Sequence, residues 1–262
     1  MNTKELIAAQ RFAEGLAKNA GKILLQRFGK SRIKVQKGKS DFATDADLAS
    51  EKFILKEIKK RYPTHAILAE ESGNHRDSKW QWVIDPLDGT KNFHFGLPFW
   101  CVSIALQHKG KTKVGVIFAP IVNQIFSARK GGGSYLNGKK IKVSANNKIS
   151  EALIVTEIPR KHTSGKNFEK DVRDFTAVLK HVKRVRAFAA AAYDLCLVAR
   201  GAADGYLDFS RNTKTWDVAA GSLIVKEAGG KIADVTLPGL PKNTVSVLAS
   251  NAKLYSKFRK LI

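Results

Sequence analysis

Trp82-Val-Ile-Asp-Pro-Leu-Asp-Gly-Thr-Lys-Asn-Phe93 begins as an apolar run and ends as a polar turn, with Asp85 and Asp88 at the change. The successive apolar residues Trp82 to Ile84 predict a buried strand, and Asp85 stands where that strand ends. Pro86 stiffens the backbone that follows. Gly89, lacking a side chain, lets the main chain approach a phosphate closely. Such a turn can wrap one cation with the carboxylates of Asp85 and Asp88 and the backbone carbonyl of Leu87. A helix starting at Thr90 adds free N–H groups suited to a phosphate. The same composition also suits an ordinary turn followed by a helix cap, so the wider pattern must decide.

Outward from this stretch, acid is concentrated in a chain that is otherwise poor in it, with 23 Asp plus Glu against 46 Lys plus Arg. Asp41, Asp45, Asp47, Glu70 and Glu71 all precede Asp85. Ala66 to Ala69 is a second apolar run that leads straight into carboxylates, here Glu70 and Glu71. Carboxylates gathered at a shielded site repel one another unless a proton or a cation lies between them. Hard oxygen donors suit Mg²⁺. His65, His75, His94, His108, His162 and His181 are scattered without ligand spacing, which argues against a zinc-type site.

The flanking segments predict a mixed α+β chain. Leu6, Ala9, Ala13, Leu16, Ala20 and Phe28 share one helical face, Asn2 and Glu5 have capping-box spacing, and Gly29 is the expected stop. A short strand near Arg32 to Gln36, a polar turn over Lys37 to Ser40 and a helix from about Asp47 to Arg61 follow. From Phe99 to Val143, apolar runs alternate with turn signals such as Lys109-Gly110 and Asn137-Gly138, the pattern of an antiparallel meander. After Ser150, strands alternate with helices. The division expected is an N-terminal α+β half, 1–150, carrying most candidate metal ligands, and a C-terminal α/β half, 151–262, packed with it as one unit.

At 262 residues, 44% hydrophobic and 26% charged, the chain can bury a sizeable core and is not of disordered or fibrous type. Cys101 and Cys196 lie in apolar runs without metal spacing and read as reduced core residues. Charges interrupt the first twenty positions, so no secretion signal is evident, and the longest uncharged stretch, Lys91 to Lys109, fails as a membrane span. The expectation is a soluble, cytoplasmic protein. The net charge of +23 and pI near 10.0 admit phosphorylated substrates, nucleic acid or an acidic protein as partners, and equally a solvated basic surface.

Four motifs, in order along nearly the whole chain, resemble the inositol monophosphatase family: Asp41-Phe-Ala-Thr-Asp-Ala-Asp47, Glu70-Glu71-Ser72, Asp85-Pro-Leu-Asp-Gly-Thr90 and Trp216-Asp-Val-Ala-Ala-Gly221. The resemblance implies a layered αβαβα sandwich of the sugar-phosphatase type, a homodimer, and two or three Mg²⁺ ions in a Li⁺-sensitive site. It implies that Glu70, Asp85 and the Leu87 carbonyl hold one ion, that Asp85, Asp88 and Asp217 hold a second, and that a third leans on Glu70. Asp47 with Thr90 is then the pair that orients and deprotonates a metal-activated water, and Asp88, Gly89, Thr90, Ala191, Asp208 and Asp217 contact the substrate. The implied substrate is a small phosphate monoester, first myo-inositol 1-phosphate. Fructose 1,6-bisphosphate, histidinol phosphate and 3′-phosphoadenosine phosphate are the related alternatives, and an added RNA-associated role is a further one. Two departures bear on the substrate: Ala189-Ala190 replaces a Gly-Ser or Gly-Thr pair, and Asp208 replaces a Glu. Both predict a looser grip on polyol hydroxyls.

Overall fold

The computed structural model describes residues 1–38, 41–234 and 243–262, with the backbone alone at 75, 164 and 234. Lys39 and Ser40 of the expected polar turn lie outside the described residues. The first helix, α1 (Thr3–Leu25), starts on the capping box: Asn2 Oδ1 accepts from the Glu5 N–H at 3.0 Å, and Glu5 Oε2 accepts from the Asn2 N–H at 2.6 Å. It stops before Gly29, because the Arg27 and Phe28 N–H groups both turn back to the Leu24 carbonyl. Gly29, at φ +73°, closes the following turn instead of the helix.

Next come β1 (Ile33–Gly38), β2 (Asp41–Thr44) and α2 (Asp45–Arg61). Thr44 and Asp47 form a second capping box at the head of α2. The first large sheet is built from β3 (Ala66–Ala69), β4 (Gly73–His75), β5 (Trp80–Asp88), β6 (Cys101–His108), β7 (Lys111–Ala119), β8 (Gln124–Arg129), β9 (Ser134–Leu136) and β10 (Lys139–Lys140), with α3 (Thr90–His94) inserted after β5. Its order is β10-β9-β8-β7-β6-β5-β3-β4, antiparallel apart from the parallel pair β3 and β5. The second half supplies β11 (Leu153–Glu157), α4 (Lys161–Ser164), α5 (Phe168–Leu179), β12 (Arg184–Arg186), α6 (Ala191–Ala199), β13 (Gly205–Asp208), α7 (Thr215–Glu227), β14 (Gly230–Asp234), β15 (Val247–Asn251) and α8 (Tyr255–Arg259). Here the order is β12-β11-β13-β15-β14, parallel from β12 through β13 and antiparallel beyond.

Alternation along the strands assigns each face to a layer. In β5, Trp82 and Ile84 pack with α1 and α2, whereas Val83 packs with α6 and α7. In β13, Tyr206 joins that same central cluster, whereas Leu207 packs outward with Val178 of α5 and Phe258 of α8. The result is the expected αβαβα sandwich. All nine residues of α6 are buried, because a helix between two sheets has no solvent side. Cys101 and Cys196 are free thiols in this central layer. Among the described residues, no helix is long and apolar enough to cross a membrane.

Candidate active site

The strand expected over Trp82 to Ile84 does not end there: β5 continues to Asp88. Its pairing with β6 slips between Asp85, opposite Ser103, and Asp88, opposite Cys101. In a regular strand, residues three apart point to opposite faces. The extra residue of a bulge restores them to one side, and Asp85 and Asp88 accordingly line one cleft together.

That cleft, of about 260 Å³, brings Glu70 from the end of β3 together with Asp85, Leu87, Asp88, Gly89 and Thr90. The second half contributes Ala191 and Asp217. Several of these acids are anchored through a single oxygen. Asp85 Oδ1 accepts from the Leu87 N–H at 2.9 Å. Asp88 Oδ2 accepts from the Ala192 N–H at the start of α6 at 2.8 Å, and Asp217 Oδ2 from the Lys214 N–H at 2.7 Å. A carboxylate oxygen has lone pairs to spare, so such anchoring fixes direction without saturating the group.

Asp47 and Thr90 stand beside this rim. Asp47 is fully buried. Its Oδ2 accepts from the Thr44 N–H at 2.8 Å and the Thr44 hydroxyl at 2.5 Å, and its Oδ1 accepts from the Thr90 hydroxyl at 2.8 Å. The Thr90 hydroxyl also lies 3.0 Å from the Leu87 carbonyl oxygen. Burial pushes Asp47 up to about 6, against the opposing effect of these hydrogen bonds. Asp88 is pushed to about 7 by burial. For Asp85, burial raises the carboxyl well above the usual range and Glu70, Asp88 and Asp217 raise it further. Asp217 is raised by burial and then by Asp88.

The donor chemistry fits a hard divalent cation: Glu70, Asp85, Asp88 and Asp217 gather oxygen donors in one cleft, and their mutual repulsion is what a cation between them would relieve. The groups do not form a finished cage. Among the described residues, no three His, Cys, Asp or Glu side chains are arranged as a ready metal shell. Glu70 is turned toward an ammonium group, with Lys37 Nζ at 2.8 Å from its Oε1.

Asp208 does not join the residues that line the cleft. Its Oδ1 is taken by the Ser210 N–H at 2.8 Å and the Ser210 hydroxyl at 2.7 Å, and its buried Oδ2 has no hydrogen-bond partner among the described residues. The turn that follows is clamped from behind. Arg211, at φ +54°, makes a two-pronged ion pair with Asp171 of α5 at 2.7 and 2.9 Å, and both side chains are nearly inaccessible. Asp41 lines the cleft, whereas Asp45 Oδ1 accepts from the Arg32 N–H at 2.8 Å, a structural contact.

Sequence reasoning missed Lys37, Lys91, Glu157, Arg160 and Lys214, which also line the cleft. Glu157 had a usable signal, since it ends an apolar strand as Glu70 and Asp85 do. Burial pushes it up to about 8, with Asp208 beside it adding to the shift.

The inositol monophosphatase family model matches residues 6–262. The chain belongs to the inositol monophosphatase family. Among its relatives, Nus factor SuhB of Xylella fastidiosa is 37% identical over 94% of this chain and 91% of its own length. Inositol monophosphatase 3 of Solanum lycopersicum is 38% identical over 94% of this chain and 93% of its own. The solved structure of inositol monophosphatase from Anabaena (Nostoc) superposes with a TM-score of 0.83 at 34% identity, covering 98% of this chain and 96% of that one. Membership in the inositol monophosphatase family supports a phosphatase, and the family is generally metal-dependent.

Proposed function

We propose that the protein hydrolyses a small phosphate monoester, with myo-inositol 1-phosphate as its first substrate, at the cleft between the two sheets. The observation that carries this reading is the hydrogen bond from Thr90 to Asp47 at the rim of the carboxylate cleft. With its proton committed to Asp47, the Thr90 hydroxyl presents lone pairs to an incoming water. When it takes a proton from that water it passes one to Asp47, whose raised affinity suits a base near neutral pH. Glu70, Asp85, the Leu87 carbonyl, Asp88 and Asp217 are the residues that would hold Mg²⁺. When bound, the ions supply concentrated positive charge to the phosphate and to the departing oxygen. Asp88, Gly89, Thr90, Ala191 and Asp217 are the proposed substrate contacts, and Asp208 acts on them from behind through the Ser210 turn.

The test is phosphate release from myo-inositol 1-phosphate, fructose 1,6-bisphosphate, histidinol phosphate and 3′-phosphoadenosine phosphate, with Mg²⁺ and with Mg²⁺ chelated. The expected ranking puts inositol 1-phosphate first, with turnover lost on chelation and in Asp85→Asn and Asp217→Asn. Turnover retained in either variant removes the ligand assignment, and another substrate ranking first removes the inositol reading.

A homodimer in the cytoplasm is part of the same proposal, supported by Phe95 and Leu97, which follow α3 with 73% and 48% exposure. The net charge of +23 and the relatives named Nus factor SuhB favour a second reading, an added role with an anionic partner such as RNA. Saturable RNA binding that persists in Asp85→Asn, with a steep salt dependence, supports that role.

A further inference from the structure

β1 and β2 pair only with each other and belong to neither large sheet among the described strands. Every residue of β1 is exposed. From this outlying ribbon, however, the Lys37 side chain reaches inward to a pair of acids 33 and 34 positions away. Its ammonium lies 2.8 Å from Glu70 Oε1 and 2.7 Å from Glu71 Oε1. The side chains of Lys37, Glu70 and Glu71 are only 23%, 19% and 5% exposed, so this is not a solvated surface pair. Glu71 is held in turn at its backbone, whose N–H donates to Glu51 Oε2 at 2.9 Å, and Glu51 is buried.

Glu70 therefore has two neighbours of opposite character: the Asp85 carboxyl, which lines the same cleft, and a positive charge shared with Glu71. A divalent ion on the Lys37 side would have to occupy the place of the ammonium or lie against it, where like charges repel. We propose that Lys37 is a built-in cation of the active site, filling the outer side of Glu70 so that the protein takes two divalent ions per chain and no third. The inference rests on the divalent-ion reading of the cleft given above. It makes Lys37 a positioning residue that holds Glu70 and neutralises Glu71, delivered by a ribbon whose two strands, among the described residues, pair only with each other.

The count of bound ions tests this without reference to turnover. Mn²⁺ is the probe, measured by equilibrium dialysis and by the electron paramagnetic resonance signal of the free ion, on the full chain. Wild type is expected to bind two Mn²⁺ per chain, K37M three, and K37R two, because the guanidinium restores the charge. Circular dichroism reports folding of each variant, and K37Q replaces K37M if the latter does not fold. Adding E70Q to K37M should remove the extra ion. D217N tests the underlying reading separately and should lose one ion relative to wild type. Three ions in wild type, or an unchanged count in K37M and K37Q, overturns the Lys37 assignment while a loss in D217N leaves the ion-binding cleft standing. An undiminished count in D217N overturns the cleft reading, and the Lys37 inference falls with it.

Discussion

Replacing Gly89 by alanine puts a methyl group where the structure has no room for it. Gly89 precedes α3 at φ +86° and ψ +34°, a left-handed conformation that costs an L-residue about 1–2 kcal/mol. A Cβ there would also lie 2.6 Å from the Phe99 carbonyl oxygen and 3.3 Å from Ala190 Cβ. The carbonyl cannot simply retreat, since it accepts from Asn92 Nδ2 at 2.7 Å, and the same amide donates to the Phe188 carbonyl at 2.6 Å. Overpacking of this kind adds about 1–3 kcal/mol. The sum, about 2–5 kcal/mol, corresponds to a Tm lower by roughly 4–20 °C in a chain of this size. Gly96→Ala is the matched control. Gly96 has a similar φ of +75°, but a Cβ added there would meet nothing within 4 Å, so only the backbone cost applies, roughly 2–8 °C. Calorimetric melts of both variants without divalent ions, with phosphate release measured in parallel, make the comparison. Gly89→Ala should melt below Gly96→Ala and lose turnover, because the strained turn carries Asp88 and Thr90. Equal melting temperatures would show that the contact with Phe99 relaxes freely and would refute the argument.

Asp171→Ala leaves the Arg211 guanidinium buried and unpaired and should destabilise the fold by about 3–5 kcal/mol; Asp171→Ala combined with Arg211→Met should recover most of that in a denaturant titration, and additive losses would show that the pair is not coupled. Asp47 must be ionised to act as a base, so kcat/KM should rise with pH through about 6, a limb that Asp47→Asn removes along with the activity. The stability sign is the opposite: because the folded value lies above the unfolded one, the metal-free protein should lose stability as pH rises from about 4 to about 6, and a metal-free melt that improves over that range contradicts the shift. Asp208→Glu forces an extra methylene into a buried site and displaces the two Ser210 contacts, so it should lower stability by about 1–3 kcal/mol without sharpening preference for inositol 1-phosphate over glycerol 2-phosphate; a sharpened preference would place its carboxylate in the cleft.

The sequence was readable where local chemistry and tertiary need coincide. Asn2 with Glu5 is a capping pair visible in spacing alone, whereas the second pair, Thr44 with Asp47, went unread and leaves one Asp47 oxygen for Thr90. The layers came from the family resemblance, because the consecutive apolar residues of β5 and β13 mark buried strands without saying which side chain faces which layer. The bulge between Asp85 and Asp88 was not legible, since it is a property of pairing with β6. Lys37 was hidden among many surface lysines, and only the fold carries it across to Glu70. The resemblance placed Asp208 at the substrate, and what the sequence did not show is that Ser210, two residues on, takes up one oxygen of its carboxylate.

The bond from the Ala192 N–H to Asp88 ties the head of α6 to the cleft, and the whole of α6 is sealed between the sheets. A rod clamped along its length can shift only as a unit, so a volume change at Leu195 or Val198 travels to Asp88 as an axial displacement. A saturation mutagenesis map of activity should therefore show a second ridge of sensitive positions running away from the cleft along α6, made of side chains that never meet the substrate. Variants on that ridge would keep their fold and misplace one carboxylate, which makes the central helix a tuning element for the chemistry as well as filling between two sheets.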